Sequence, residues 1–136
     1  MYYKQLAKEF FDFLVKTNAG PVEPPNPKEY SKGEMGILTY LTFQNDGVTS
    51  GQLSEALQVS TGRVASALKS LEKKQLIIRR MDGVDKRRVN VYITNKGKQN
   101  TLKKHEEAIE QMEKCLQKLG EEDAKIFIEL SKRFFS

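Results

Sequence analysis

Small, hydroxyl-bearing and basic side chains recur at helical spacing between residues 60 and 73, and their chemistry suits contact with a nucleic acid. The face that they share contains no acidic residue and consists of Gly62, Arg63, Ser66, Lys69, Ser70 and Lys73. Short side chains let a helix lie close to base edges, and Arg63 and Lys69 are long enough to reach a guanine or a phosphate. An amphipathic helix with an ordinary solvated polar face is the alternative that this segment alone leaves open.

A second basic cluster lies in the run from 79 to 88, where a turn joins two β-type segments. Asp82 and Gly83 favour that turn, because glycine adopts a positive φ without penalty. The clustered cations are Arg79, Arg80, Lys86, Arg87 and Arg88. We expect the hairpin tip to suit the DNA minor groove, which attracts arginine, and Asp85 to hold the Arg87 guanidinium in a fixed pose. A soluble hairpin decorated with charge is the alternative.

The positive charge is concentrated in this part of the chain. The 136 residues carry a net charge of +5. Residues 60–98 contain eleven Lys or Arg and three acids, which gives +8 and leaves −3 for the remainder. Such a distribution indicates a polyanionic partner. A membrane surface fits less well, because these charges do not accompany a single amphipathic apolar stripe.

Two helices and two strands must position these residues. The spacing predicts helices over 50–57 and 61–74, the second with Ser60 as its N-cap. The core-facing side of the second helix consists of Val64, Ala67, Leu68 and Leu71. Strands are expected over 76–80 and 88–94, since β-branched residues alternate with polar ones in the latter. This order is that of a helix-turn-helix followed by a wing.

The flanking segments contain more apolar surface than one chain needs. Helices are expected over 3–17, 34–44 and from a Thr94 cap to about residue 119, with a last helix after Gly120. All four prolines fall within 18–30, which predicts a loop, and Ser31 and Glu34 form a capping-box pattern after it. The last helix has a main apolar stripe of Ile126, Phe127, Leu130 and Phe134. Together with the apolar first helix, this stripe predicts a second subunit.

The segment from Gln52 to Gly97 resembles the winged-helix core of the MarR family of bacterial transcriptional regulators. The similar elements are Leu57-x-Val59-Ser60 between the helices, Leu68-x-x-Leu71-Glu72, Leu76-Ile77-x-Arg79, Asp85-Lys86-Arg87 and Thr94-x-x-Gly97. The resemblance implies a mainly α (α+β) winged helix-turn-helix in one domain, 1–136. Its DNA-binding lobe would be 34–99, and 1–33 and 100–136 would be dimerisation helices. Gln75 departs from the family, which commonly has glycine there to ease a helix C-cap.

The resemblance and the basic surfaces together predict a regulator that binds double-stranded DNA sequence-specifically, as a homodimeric repressor released by a small-molecule or stress signal. We expect DNA contacts from Ser60, Thr61, Gly62, Arg63, Ser66, Lys69, Ser70, Lys73, Arg79, Asp85, Lys86, Arg87 and Arg88. Two-fold symmetry predicts a near-palindromic operator with half-sites about 34–36 Å apart. The alternative is a winged-helix protein–protein interaction module that does not bind DNA.

The family often binds small aromatic molecules, and by resemblance such an effector would contact Phe11, Tyr30, Tyr40, Phe43 and His105. We expect no enzymatic activity, because the one histidine, His105, and the one cysteine, Cys115, would be roughly 15 Å apart on one helix. No metal ligand set or cofactor motif is present, and Cys115 is expected in a core or interface. The absence of a signal peptide, a membrane span and paired cysteines predicts a cytoplasmic protein.

Overall fold

A computed structural model describes residues 2–17, 32–85 and 87–136. Within these ranges, the elements are α1 (Tyr2–Thr17), α2 (Lys32–Phe43), β1 (Val48–Thr49), α3 (Ser50–Leu57), α4 (Thr61–Lys73), β2 (Ile77–Met81), β3 (Val89–Ile93), α5 (Asn95–Leu119) and α6 (Glu121–Phe134). Six helices and one small antiparallel sheet confirm the mainly α fold class predicted from the sequence. The predicted loop over 18–30 and the capping residue Ser31 lie outside the described residues.

The described chain divides into two compact units. One contains residues 32–102, and the other contains residues 2–17 with 103–136. α5 begins in the first unit and ends in the second.

The first unit is built around a core to which α2, α3, α4 and the sheet all contribute. The four α4 residues predicted to face inward, Val64, Ala67, Leu68 and Leu71, are all buried. They pack with Leu38, Leu53 and Val91 from the other elements. Because α4 buries one full stripe here, its opposite face is turned to solvent.

The sheet has three strands in the order β1–β3–β2, and all its pairs are antiparallel. The sequence predicted β2 over 76–80, which is one residue too early at both ends, and β3 over 88–94, which is one residue too long at both ends. It did not predict β1. Leu76 is not in a strand, because its N–H donates to the Leu71 carbonyl at the end of α4, 2.9 Å away. β1 has two residues, Val48 and Thr49, which pair with Val91 and Asn90, so it has no periodicity that a sequence could reveal.

The two helices α3 and α4 end in the same way. Gln58 and Gln75 have φ of 53° and 63°, in the left-handed region. After α4, the Gln75 N–H donates to Glu72 O (3.0 Å) and the Leu76 N–H donates to Leu71 O, which is the Schellman pattern. The Gln75 position therefore has the conformation that glycine would favour, although a glutamine occupies it.

The second unit packs α1 against α6 and the later part of α5. Its buried side chains are Ala7, Phe10, Leu14, Ile109, Leu116, Ala124 and Ile128. The apolar stripe of α6 that predicted a second subunit is not buried within the single chain: Ile126, Phe127, Leu130 and Phe134 are exposed, by 51%, 45%, 53% and 81%. The face that meets α1 carries Ala124 and Ile128 instead, because small Ala124 permits close approach of the helices.

Candidate nucleic-acid interface

The solvent face of α4 carries most of the residues expected to contact DNA. Thr61, Gly62, Arg63, Ser66, Lys69 and Lys73 are exposed, and Ser70 is half-buried. A Cβ added at Gly62 would meet no atom within 4 Å, so the helix surface there is open to a close partner. The face thus combines free cations with small residues, as contact with base edges requires.

Ser60 has a structural task at the start of this helix. Its side-chain oxygen accepts the backbone N–H of Arg63 at 3.2 Å, as predicted for an N-cap. This bond satisfies one of the orphan amides of the first turn and fixes where α4 begins. Ser60 is nevertheless exposed, so the hydroxyl lies at the surface beside Thr61.

Hydrogen bonds from backbone amides to its own acidic side chains stabilise the wing tip, defined as residues 81–85 and 87–89. The Asp82 carboxylate accepts the Val84 N–H at 2.8 Å, and this bond holds the pKa of Asp82 below its ordinary value. Asp85 Oδ1 accepts the Arg87 N–H at 3.0 Å and lies 3.5 Å from Arg87 Nε. The predicted Asp85–Arg87 contact is therefore present, although its shorter bond is to the backbone. Lys86 lies outside the described residues.

The arginines of the wing differ in how free they are. The Arg87 side chain is 94% exposed, which leaves it available to a partner. The Arg79 guanidinium instead donates to Glu72 of α4 at 3.0 Å and is 34% exposed. Arg79 thus links α4 to β2 through an ion pair, and its contact with DNA stays a prediction.

Sequence reasoning missed the contribution of Gln52 to this surface. Gln52 Oε1 accepts the Thr49 N–H at 2.8 Å in the capping box of α3, and it lies 3.5 Å from Arg88 Nη2. Thr49, Gln52, Asp85, Arg87 and Arg88 line an open depression of about 540 Å³. The Thr-x-x-Gln spacing predicted the cap, but only the fold could bring residues 52 and 88 together.

The residues predicted for an effector pocket are divided among different parts of the chain. The rings of Phe11 and His105 are 5.9 Å apart in the second unit, in an edge-to-face arrangement. Burial lowers the pKa of His105, an effect that the Asp12 and Glu106 carboxylates oppose. Tyr40 and Phe43 belong to the first unit, and Tyr30 lies outside the described residues. The shared pocket therefore stays a prediction.

Other kinds of site have little support in the part of the chain that is described. Across residues 2–17, 32–85 and 87–136, no group of three or more His, Cys, Asp or Glu is arranged to hold a metal ion. None of the helices in those ranges is long and apolar enough to cross a bilayer. Cys115 is exposed, so its predicted place in the core is wrong, and its alternative place in an interface stays a prediction.

The geometry defines a winged helix whose recognition helix and wing share one basic surface, and comparisons with known proteins agree. Residues 34–113, more than half of the chain, match the winged helix DNA-binding domain family, to which the chain belongs. The resemblance to MarR-family regulators is likewise confirmed, because the similar proteins include SarZ and MepR.

SarZ of Staphylococcus epidermidis, described as an HTH-type transcriptional regulator, is 28% identical over 102 residues. Those residues are 73% of this chain and only 60% of SarZ. The Staphylococcus aureus MepR–DNA complex is similar with a TM-score of 0.58 and 27% identity over 91% of this chain and 89% of that one. A transcriptional regulator from Thermotoga maritima gives a TM-score of 0.61 and 26% identity over 97% and 90%. These relatives are regulators rather than enzymes.

Proposed function

We propose that the protein is a transcriptional regulator that binds double-stranded DNA sequence-specifically, and that it acts in the cytoplasm as a homodimeric repressor. The observation that carries the proposal is the exposed surface of α4, with its small side chains and cations, next to a wing whose Arg87 side chain is 94% exposed. A polyanion with a groove fits both features, since small residues admit base edges and cations contact phosphates. The family and the MepR–DNA complex support the same partner.

In the proposed complex, α4 lies in a major groove and the wing reaches the adjacent minor groove. Arg63, Ser66 and Lys69 contact bases or phosphates, because they project from the exposed side of α4. Arg87 is the principal minor-groove cation. Two copies of the chain would present two such surfaces to half-sites about 34–36 Å apart in a near-palindromic operator.

The proposal of a homodimer is supported by the exposed apolar stripe of α6. A row of four large apolar side chains exposed by 45% to 81% is unusual for a monomer and resembles one half of an interface. We also propose that a small aromatic effector releases the repressor. The Phe11 and His105 rings, whose centroids are 5.9 Å apart, support a contact with such a molecule.

The deciding experiment measures affinity against salt for duplexes recovered by selection from random DNA. Wild type should bind with a steep negative slope of log K against log salt. Arg87→Ala should weaken binding and make the slope shallower by about 0.9 for each phosphate contact that is lost. Lys8→Ala, which removes an exposed charge from α1, is the matched control and should leave both quantities unchanged.

The competing function is that of a winged-helix module for protein partners. That reading predicts no selected motif and no difference between Arg87→Ala and Lys8→Ala on duplex DNA. A recovered palindrome would exclude it, because only base-specific contacts by a symmetric dimer enrich such a sequence. Random DNA that yields no motif would overturn the proposed function.

A further inference from the structure

The wing tip exposes apolar side chains that its charges do not explain. Val84 is 98% exposed, Met81 62% and Val89 42%. Met81 and Val89 face each other across β2 and β3, where they form the last pair of the ladder. Single exposed apolar residues are ordinary on a protein surface, whereas three within one hairpin tip indicate a surface that contacts something.

The alternation along β2 assigns the Met81–Val89 pair to one face of the ribbon. Ile77 is buried in the core, and Arg79 and Met81 follow it at two-residue intervals. Met81 therefore extends the face that carries Arg79, whose guanidinium bonds to Glu72 of α4. The pair thus projects beyond the core on the α4 side of the ribbon, whereas Ile78 points to the opposite face.

Local hydrogen bonds fix the conformation in which Val84 is presented. The Asp82 carboxylate holds the Val84 N–H at 2.8 Å. The Asp82 N–H donates to Arg88 O at 2.7 Å, and the Arg88 N–H donates to Asp85 O at 3.0 Å. The Asp82 and Asp85 carboxylates thus accept backbone amides of the tip, and they also lie 3.9 Å and 3.5 Å from the Arg88 and Arg87 side chains. A turn held in this way projects Val84 without a large entropic cost when a partner binds.

The charge around these residues identifies the class of partner. Three exposed arginines, Arg80, Arg87 and Arg88, belong to the same hairpin, and the Arg87 and Arg88 side chains lie 3.5 Å and 3.9 Å from Asp85 and Asp82. A DNA groove has the complementary arrangement, because phosphates form its rims and deoxyribose and base edges form its walls. An apolar protein surface would instead leave these arginines with no anionic partner beyond Asp82 and Asp85.

We infer that Val84, with the Met81–Val89 pair beside it, makes apolar contact with the deoxyribose walls of the minor groove, next to the phosphate contact of Arg87. This inference rests on the proposed function and deepens it. The wing then contributes two distinct components of binding. One is electrostatic and weakens with salt, whereas the other removes apolar surface from water and is nearly independent of salt.

The test uses the full chain, a duplex recovered by selection from random DNA, and measurement of affinity across a salt series. Val84→Ala should weaken binding by roughly 15-fold for each bound wing, because about two methyl groups no longer leave water. Its salt slope should equal that of wild type, in contrast to Arg87→Ala. Val84→Thr keeps the size and branching of the side chain and should also bind more weakly, since the hydroxyl would lose water in the groove.

Two serine variants test which face of the ribbon contacts DNA. Met81→Ser changes the face of the Met81–Val89 pair, and Ile78→Ser changes the opposite face and is the control. Met81→Ser should weaken binding with an unchanged salt slope, and Ile78→Ser should not change affinity. Thermal unfolding measured on each variant checks that the hairpin remains folded, and Val84→Ala should unfold at the wild-type temperature because its side chain has almost no contacts.

Each other outcome has a defined meaning. Wild-type affinity in both Val84 variants and in Met81→Ser would overturn the inference while leaving the proposed function intact. A slope made shallower in Val84→Ala would overturn it as well, since the lost contact would then be electrostatic. A change of oligomeric state in the absence of DNA would assign the tip to a second copy. Failure of the wild type to bind any duplex would instead remove the proposed function itself.

Discussion

Gln75 has a backbone conformation that few residues other than glycine adopt. Its φ of 63° allows its own N–H and that of Leu76 to satisfy the carbonyls at the end of α4. A side chain in the left-handed region costs about 1–2 kcal/mol relative to an ordinary helical residue. The hydrogen bonds that end α4 therefore offset a local backbone strain at Gln75, which glycine at this position would remove.

Gln75→Gly should stabilise the protein by about 0.5–1 kcal/mol, since relief of the left-handed strain exceeds the entropy that glycine loses on folding. Chemical denaturation measures the change. Gln99→Gly, at an exposed position inside α5, is the matched control and should destabilise the protein by about 0.5–1 kcal/mol. Equal effects of the two substitutions would contradict the role assigned to Gln75.

The sequence predicted the caps of α3 and α4 correctly, because a cap depends on residues only three positions apart. Ser60 bonds to the Arg63 N–H, and Thr49 and Gln52 form a reciprocal capping box. The ion pair between Arg79 and Glu72 could not be predicted in this way. Its pairing with Glu72 depends on how β2 leaves α4, and the two residues have other charged neighbours in the sequence.

At the scale of elements, the junction between α4 and β2 is joined to the start of α5. The Thr94 N–H donates to Leu76 O at 3.0 Å, and Thr94 Oγ1 donates to Gln75 O at 2.8 Å. Lys96 Nζ reaches Lys74 O at 3.3 Å. The carbonyls that follow the recognition helix are thus satisfied by the residues that follow the wing, which fixes the wing at its base.

Gly97→Ala should destabilise this junction by about 1–3 kcal/mol, because overpacking forces the backbone to move. A Cβ at position 97 would lie 2.3 Å from the Leu76 carbonyl oxygen. Thermal unfolding gives the change in stability. Gly51→Ala is the control, since its Cβ would meet only Thr49 Oγ1, at 3.9 Å. An unchanged melting temperature in Gly97→Ala would show that the contact is not tight in solution.

The order of the elements could be read from the sequence, whereas their edges could not. Periodicity identified the buried stripe of α4 because four residues repeat at helical spacing. β1 was not predicted because it has only two residues, and Val48 and Thr49 form a strand only through their pairing with β3. Long-range pairing of this kind has no local signal.

At the scale of the whole molecule, each unit has its own hydrophobic core, and the second unit also has an apolar surface. The stripe of Ile126, Phe127, Leu130 and Phe134 on α6 was predicted from the sequence to meet a second subunit, and its exposure in the single chain leaves that role a prediction. Hydrophobic periodicity identifies an apolar face without distinguishing an intrachain contact from a contact with a second chain. Small Ala124 gave a weaker signal than the large residues, although it forms the actual contact within the chain.

Leu130→Glu should weaken self-association by about tenfold or more, because a charge would be placed in the centre of the proposed interface. Leu130 is 53% exposed in the single chain, so its replacement should not disturb folding. Sedimentation equilibrium measures the association constant. Lys125→Glu reverses an exposed charge on the same helix without removing apolar surface and is the control. A monomeric wild-type protein at micromolar concentration would contradict the proposed homodimer.

The extent of β1 has a mechanical consequence for the wing. β1 pairs with β3 only at Val91 and Asn90, so from Val89 outward the ribbon is flanked by no third strand within the described residues. Two-stranded ribbons vary more widely in twist than strands held in a larger sheet. We therefore expect the outer half of the ribbon to vary in twist more than the inner half, which would allow the wing to follow operator grooves of different width while α4 keeps its position.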